Sequence, residues 1–116
     1  SFTAMLINRL DELMGIALDE ARAALAHGDV PVGAVVAHLE TGQVVAQRHN
    51  EREHTGDPTA HAEILALRDA ATALGRWRLD EYALVVTLEP CAHTGRTGPC
   101  VEALMHRSAR RWRSRT

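Results

Sequence analysis

The chain has 116 residues, 46% of them apolar, enough for one globular domain with a modest core. No run approaches the length of a membrane span, and the N-terminus lacks the basic-then-apolar pattern of an exported precursor. With only two cysteines, this points to reduced thiols, metal binding over a disulfide, and a cytoplasmic setting. The formal net charge of −2 hides an asymmetry: all thirteen basic residues are Arg, and five of them (Arg107, Arg110, Arg111, Arg113, Arg115) fall in the last ten positions. Residues 1–106 hold the other eight Arg and all fifteen carboxylates, a formal −7. Such a tail either binds nucleic acid or is a solvated, disordered end.

In chain order, Leu6, Leu10, Leu13, Met14, Ala17, Leu18, Ala21, Ala24 and Leu25 recur every three or four residues. That stripe predicts an amphipathic helix over about 6–26, packed on a sheet and ended by Gly28. Val32 to Ala37 and Gln43 to Ala46 flank the turn residues Glu40-Thr41-Gly42 and predict a hairpin. Residues 48–59 read as polar and irregular. Asp57 or Thr59 can cap the next helix, expected over about 60–74 and stopped by Gly75. Tyr82 to Thr87 is a third strand, Pro90 breaks into a loop, and Val101 to Met105 can start a third helix. Trp77 is expected in the core, and Trp112 is free to stack on a base.

Chemistry concentrates in two places. His61-Ala62-Glu63 offers an imidazole with a carboxylate two residues on, and Pro90-Cys91 is followed by Cys100, so the two cysteines of the chain share one loop. One imidazole and two thiolates are ligands that Zn²⁺ favours, with a fourth position left for water. Residues two apart on a helix do not share a face, which suits one ligand and one proton carrier. These segments match the signature of the zinc deaminases, His-x-Glu then Pro-Cys, except that eight residues separate the cysteines here in place of two.

The stretch from Asp29-Val30-Pro31-Val32-Gly33-Ala34-Val35, through residues 56–64, to Val86-Thr87-Leu88-Glu89-Pro90-Cys91 resembles the bacterial tRNA adenosine deaminase family. Residues 93–104, with the longer cysteine spacing, are similar instead to the pyrimidine deaminase of riboflavin biosynthesis. Both belong to the cytidine deaminase-like superfamily. The resemblance implies a three-layer α/β/α cytidine deaminase-like fold over residues 1–106, truncated after the third helix, with 107–116 as an Arg-rich tail. It implies His61, Cys91 and Cys100 as Zn²⁺ ligands, with His93 a competing third ligand, and Glu63 as general acid and base. It places Asn50, eleven residues before His61, against the substrate base, and His93 and Arg96, with Thr97, along the substrate pocket. Asn50 could instead be a turn former, and Arg96 a solvated loop residue; His49 and His54 receive no role.

The implied activity is zinc-dependent hydrolytic deamination of a nucleobase, adenosine to inosine in tRNA first. A small-molecule pyrimidine is the alternative substrate, and an inactive zinc-binding module the alternative from another class. The further strands of related domains find no apolar counterpart in Ser108 to Thr116. The third strand is therefore expected to have an open side, and an unpaired apolar edge favours a homodimer.

Overall fold

A computed structural model describes residues 2–87, 101–105 and 110–114. Helix α1 spans Phe2–Ala24 and tightens into a 3₁₀ turn, Leu25–His27, ended by Gly28 in the left-handed region (φ 74°). Strands β1 (Gly33–His38) and β2 (Val44–His49) form the expected hairpin. A one-turn helix α2 (Arg52–Thr55) and helix α3 (Ala62–Leu74) precede β3 (Tyr82–Thr87). Strands β4 (Val101–Met105) and β5 (Arg110–Ser114) complete a sheet of order β2-β1-β3-β4-β5, antiparallel throughout. Among the described residues, no helix is long and apolar enough to cross a membrane.

The three layers follow from the two-residue period of the strands. Val35 and Ala37 of β1 and Val85 of β3 face Leu10, Leu13, Met14 and Ala17 of α1. Ala34, Val36, Leu84 and Val86 point the other way, onto Ala62, Ala66 and Ala70 of α3. A bulge opposite Val36 and Ala37 leaves Val45 unpaired in the β1–β2 register, so Val45 and Ala46 both turn toward α3. Each Val or Leu wholly buried this way contributes about 1.5–3 kcal/mol. The alanines at every fourth position of α3 let its backbone lie close to the sheet.

On the α1 side the approach is closer still. Gly33 opens β1 directly beneath α1, where an added Cβ would overlap the carbonyl oxygen of Ala17 and come 2.8 Å from the amide nitrogen of Ala21. Only glycine fits there.

Four expectations need correction. Val101–Met105 is a strand, not the start of a helix. Five residues are too few to sustain a helix alone, whereas the second edge of β3 offers backbone partners over the whole segment. The open side expected for β3 is therefore covered by β4, and the argument for a homodimer through that edge falls away. Arg110–Ser114 is likewise a strand where a disordered tail was one expectation. Finally, Trp77 is 78% exposed and not in the core. Helix α3 stops at Gly75 (φ 69°), and Leu79 and Tyr82 fill that end of the core instead.

Candidate active site

The His-x-Glu segment sits at the start of α3. His61 is the N-cap residue, with extended backbone (φ −77°, ψ 145°), and Glu63 lies in the first turn. Neither Asp57 nor Thr59 caps the helix. The Asp57 carboxylate instead accepts hydrogen bonds from the Thr59 amide (2.8 Å) and hydroxyl (2.7 Å). The bond from the Thr59 amide, then that from its hydroxyl, hold the Asp57 carboxyl below the usual range against a smaller opposing effect of burial.

The cap comes from a distance. Asn50, at the end of β2 and 3% exposed, accepts the Ala62 amide on its Oδ1 at 2.8 Å. Its Nδ2 donates to the Val30 carbonyl at 3.2 Å, and its own amide donates to the Val32 carbonyl at 3.1 Å. The Glu51 amide adds a bond to the Ala60 carbonyl at 2.9 Å. The segment before β1, the end of β2 and the start of α3 are thereby locked together, with His61 and Glu63 held against that frame. In the described residues Asn50 serves to position the helix. Asn50→Ala should cost about 1–3 kcal/mol, because the Ala62 amide is left buried without a partner; chemical denaturation measures this, and a loss below half a kilocalorie would deny Asn50 the capping role.

The irregular segment expected over 48–59 contains α2, which sequence reasoning missed. Asp29, 4% exposed, caps it from beyond the whole hairpin: its carboxylate accepts the amides of Glu53 (2.8 Å) and His54 (3.2 Å). Burial pushes the Asp29 carboxyl upward, but the two amide bonds, with the charges of His27 and Arg52, together outweigh it and leave the group low. A shallow cavity of about 330 Å³ lies over this segment, lined by Arg52, Glu53, Gly56 and Pro58.

The same end of the sheet receives the end of β3. The Thr87 hydroxyl, 1% exposed, accepts the Gly33 amide at 2.9 Å, so the last residue of β3 is tied to the first of β1. The cysteine-bearing segment follows Thr87 directly. Cys91, His93, Arg96, Thr97 and Cys100 lie outside the described residues. Among the described residues no group of three or more His, Cys, Asp or Glu side chains is placed to hold a metal ion.

The part of the donor set that is described fits zinc. The His61 ring is half-buried at a helix start and makes no hydrogen bond or ion pair among the described residues, so its nitrogens are open to a metal. Glu63 is equally half-buried and equally unclaimed. A helix N-terminus favours a carboxylate and a metal-bound anion alike.

A family model, the cytidine and deoxycytidylate deaminase zinc-binding region, matches residues 7–114. The chain belongs to this family. Among relatives, it is 45% identical over 76 residues to a tRNA-specific adenosine deaminase of Aquifex aeolicus, covering 66% of this chain and 49% of that one. It is 48% identical over 82 residues to the tRNA-specific adenosine deaminase of Bacillus subtilis, covering 70% and 50%. The chain thus spans about half the length of the curated relatives it matches. A structure solved in a study of A-to-I editing by tRNA:A34 deaminases shares the fold with a TM-score of 0.65 and 44% identity, over 72% of this chain and 62% of that one. A guanine deaminase from Bacillus subtilis gives 0.61 and 34%, over 70% and 51%. The three-layer deaminase fold is thereby established for the family member described here.

Proposed function

We propose that this chain carries a zinc-dependent hydrolytic deaminase site whose substrate is adenosine in tRNA. The observation that carries the proposal is that His61 and Glu63, neither bonded to another described side chain, stand at the capped N-terminus of α3 beside the end of β3. The names of its relatives at 45–48% identity support the substrate. His61, Cys91 and Cys100 would hold the zinc, which when bound supplies an activated water at neutral pH. In the reaction the C–NH₂ bond of an amidine is exchanged for C=O, consuming water and releasing ammonia. Glu63 takes one proton from the water and delivers it to the ring nitrogen, then takes the proton of the newly added hydroxyl and passes it to the departing amine, so that two protons are taken and two are given. Its place across the helix from the ligand lets it reach the substrate without competing for the metal.

Ammonia release tests the substrate directly, measured against tRNA, free adenosine and cytidine, guanine and the ribosylaminopyrimidine phosphate. Turnover confined to tRNA, falling steeply with added salt as phosphate contacts are lost, supports the proposal. Turnover confined to the pyrimidine phosphate would give weight to the segment 93–104 and reassign the substrate; none on any of the five would leave an inactive zinc module.

The ligand set has its own test. Cys100→Ser should lose most of its zinc, because removing one of three protein ligands opens a tetrahedral site. Metal analysis of purified protein reads this out. Full zinc in Cys100→Ser, with loss in His93→Ala, would transfer the ligand role to His93.

A further inference from the structure

Three histidines from three separate elements meet at one corner on the α1 side of the sheet: His27 in the 3₁₀ turn, His49 at the end of β2 and His54 in α2. Deaminase chemistry uses none of them. His49 Nδ1 lies 2.7 Å from Glu20 Oε1 of α1, with both side chains less than a fifth exposed. Burial pushes the Glu20 carboxyl up, but hydrogen bonds from His49 and Gln47, with the charges of His49 and Arg48, together outweigh it and leave it low. An ionised Glu20 keeps a proton on His49 Nδ1, so in the neutral ring the lone pair is on Nε2. That Nε2 accepts a hydrogen bond from His27 Nε2 at 3.3 Å, and a metal ion would take the place of the proton between them. His54 stacks on the other side of His27, ring centroids 4.0 Å apart and 26° from parallel, and limits how far the His27 ring can turn.

We propose that His27 and His49 form a two-imidazole clamp for a divalent transition-metal ion of the nickel or zinc type. Metal–imidazole bonds of about 2.0–2.1 Å in tetrahedral array place neighbouring ligand nitrogens about 3.3–3.4 Å apart, which is the separation already present. A carboxylate behind a metal-binding histidine fixes its tautomer and raises its basicity, and Glu20 stands in that position. No third donor converges on the pair among the described residues. Glu51 Oε2 is 4.0 Å from His49 Nε2 and is held by Arg48 at 2.8 Å. Water therefore completes the shell, and the ion is bound weakly and exchangeably. Imidazole is a ligand these borderline metals accept readily.

Equilibrium dialysis of the full chain as purified against Ni²⁺, followed by metal analysis, tests the clamp. The parent should retain one Ni²⁺ more than either His27→Gln or His49→Gln, and Glu20→Gln should weaken that binding about tenfold or more. His38→Gln, whose ring lies at the other end of β1, should bind as the parent does. Circular dichroism confirms that each variant is folded, and Ni²⁺ should raise the melting temperature of the parent and not of the two clamp variants. The proposal is overturned if the parent binds no additional Ni²⁺, if either clamp variant keeps parental binding, or if His38→Gln loses it.

Discussion

Replacing Glu63 by alanine should lower ammonia release by about 10²–10⁴-fold while leaving zinc and fold in place. The size follows from one carboxylate carrying both protons of the reaction, which sets the expected loss toward the upper end of that range. The selectivity follows from where Glu63 sits. Its side chain makes no hydrogen bond or ion pair among the described residues, and the helix start is fixed independently by Asn50 at 2.8 Å from the Ala62 amide. Alanine also has the higher helix propensity, offsetting the lost attraction between a carboxylate and the helix N-terminus, about 0.3–1 kcal/mol. Stability should therefore change by less than about 1 kcal/mol. Turnover within tenfold of the parent removes Glu63 from the mechanism; loss of zinc makes it a ligand.

The second large effect is expected far from any reacting atom. Gly33→Ala should destabilise by more than the roughly 1–3 kcal/mol usual for overpacking, against a total stability of about 5–15 kcal/mol. The new Cβ meets the backbone of Ala17 and Ala21, not a side chain that could swing aside. Helix α1 would have to lift off the sheet, uncovering Leu13 and Ala17, both 0% exposed. The neighbouring test is Gly15→Ala on the outer face of α1, where a Cβ meets nothing within 4 Å. That change should stabilise by about 0.5–1 kcal/mol. Urea midpoints compare the two, and equal midpoints for Gly33→Ala and the parent would mean that α1 rides further from β1 than the geometry shows.

What could be seen in the sequence was what depends on near neighbours. The three- and four-residue stripe from Leu6 to Leu25 announced α1, Gly28 and Gly75 ended their helices in the left-handed region as expected, and Tyr82 to Thr87 was read to the residue. The start of α3 was set two residues early, because its cap is Asn50, twelve residues back, and not Asp57 or Thr59. Helix α2 was missed for the same reason: its cap is Asp29, more than twenty residues away. Hydrogen bonds of that reach leave no local pattern. Trp77 was misplaced because apolar character alone does not say which side of a helix end a residue follows. His49 and His54 received no role because their partners, Glu20 and His27, are brought to them only by the packing of α1 against β2. Of the proposed site, the sequence offers the spacing of His61 and Glu63, and the described structure adds what holds that helix start in place.

The turn between β1 and β2 lies at the far end of the sheet from Asn50 and Thr87. In the hairpin register Ala37 pairs with Val44 at one end and Gly33 with His49 at the other. Six-residue strands separate the two ends by about 17 Å. At the turn, Gly42 (φ 72°) is pressed against the Arg9 side chain, whose guanidinium donates to the Gly42 carbonyl at 2.8 Å. Glu40 and Thr41, by contrast, are exposed and bond locally: both amides donate to His38 Nδ1, and the Thr41 hydroxyl accepts the Gln43 amide. The Glu40–Thr41 bond is thus the place to splice in a tag, a fluorophore peptide or a tether to a surface. Lengthening a loop adds only about 0.6 kcal/mol per doubling, and an added sequence there would stand a full strand length away from the end of the sheet that carries His61 and Glu63.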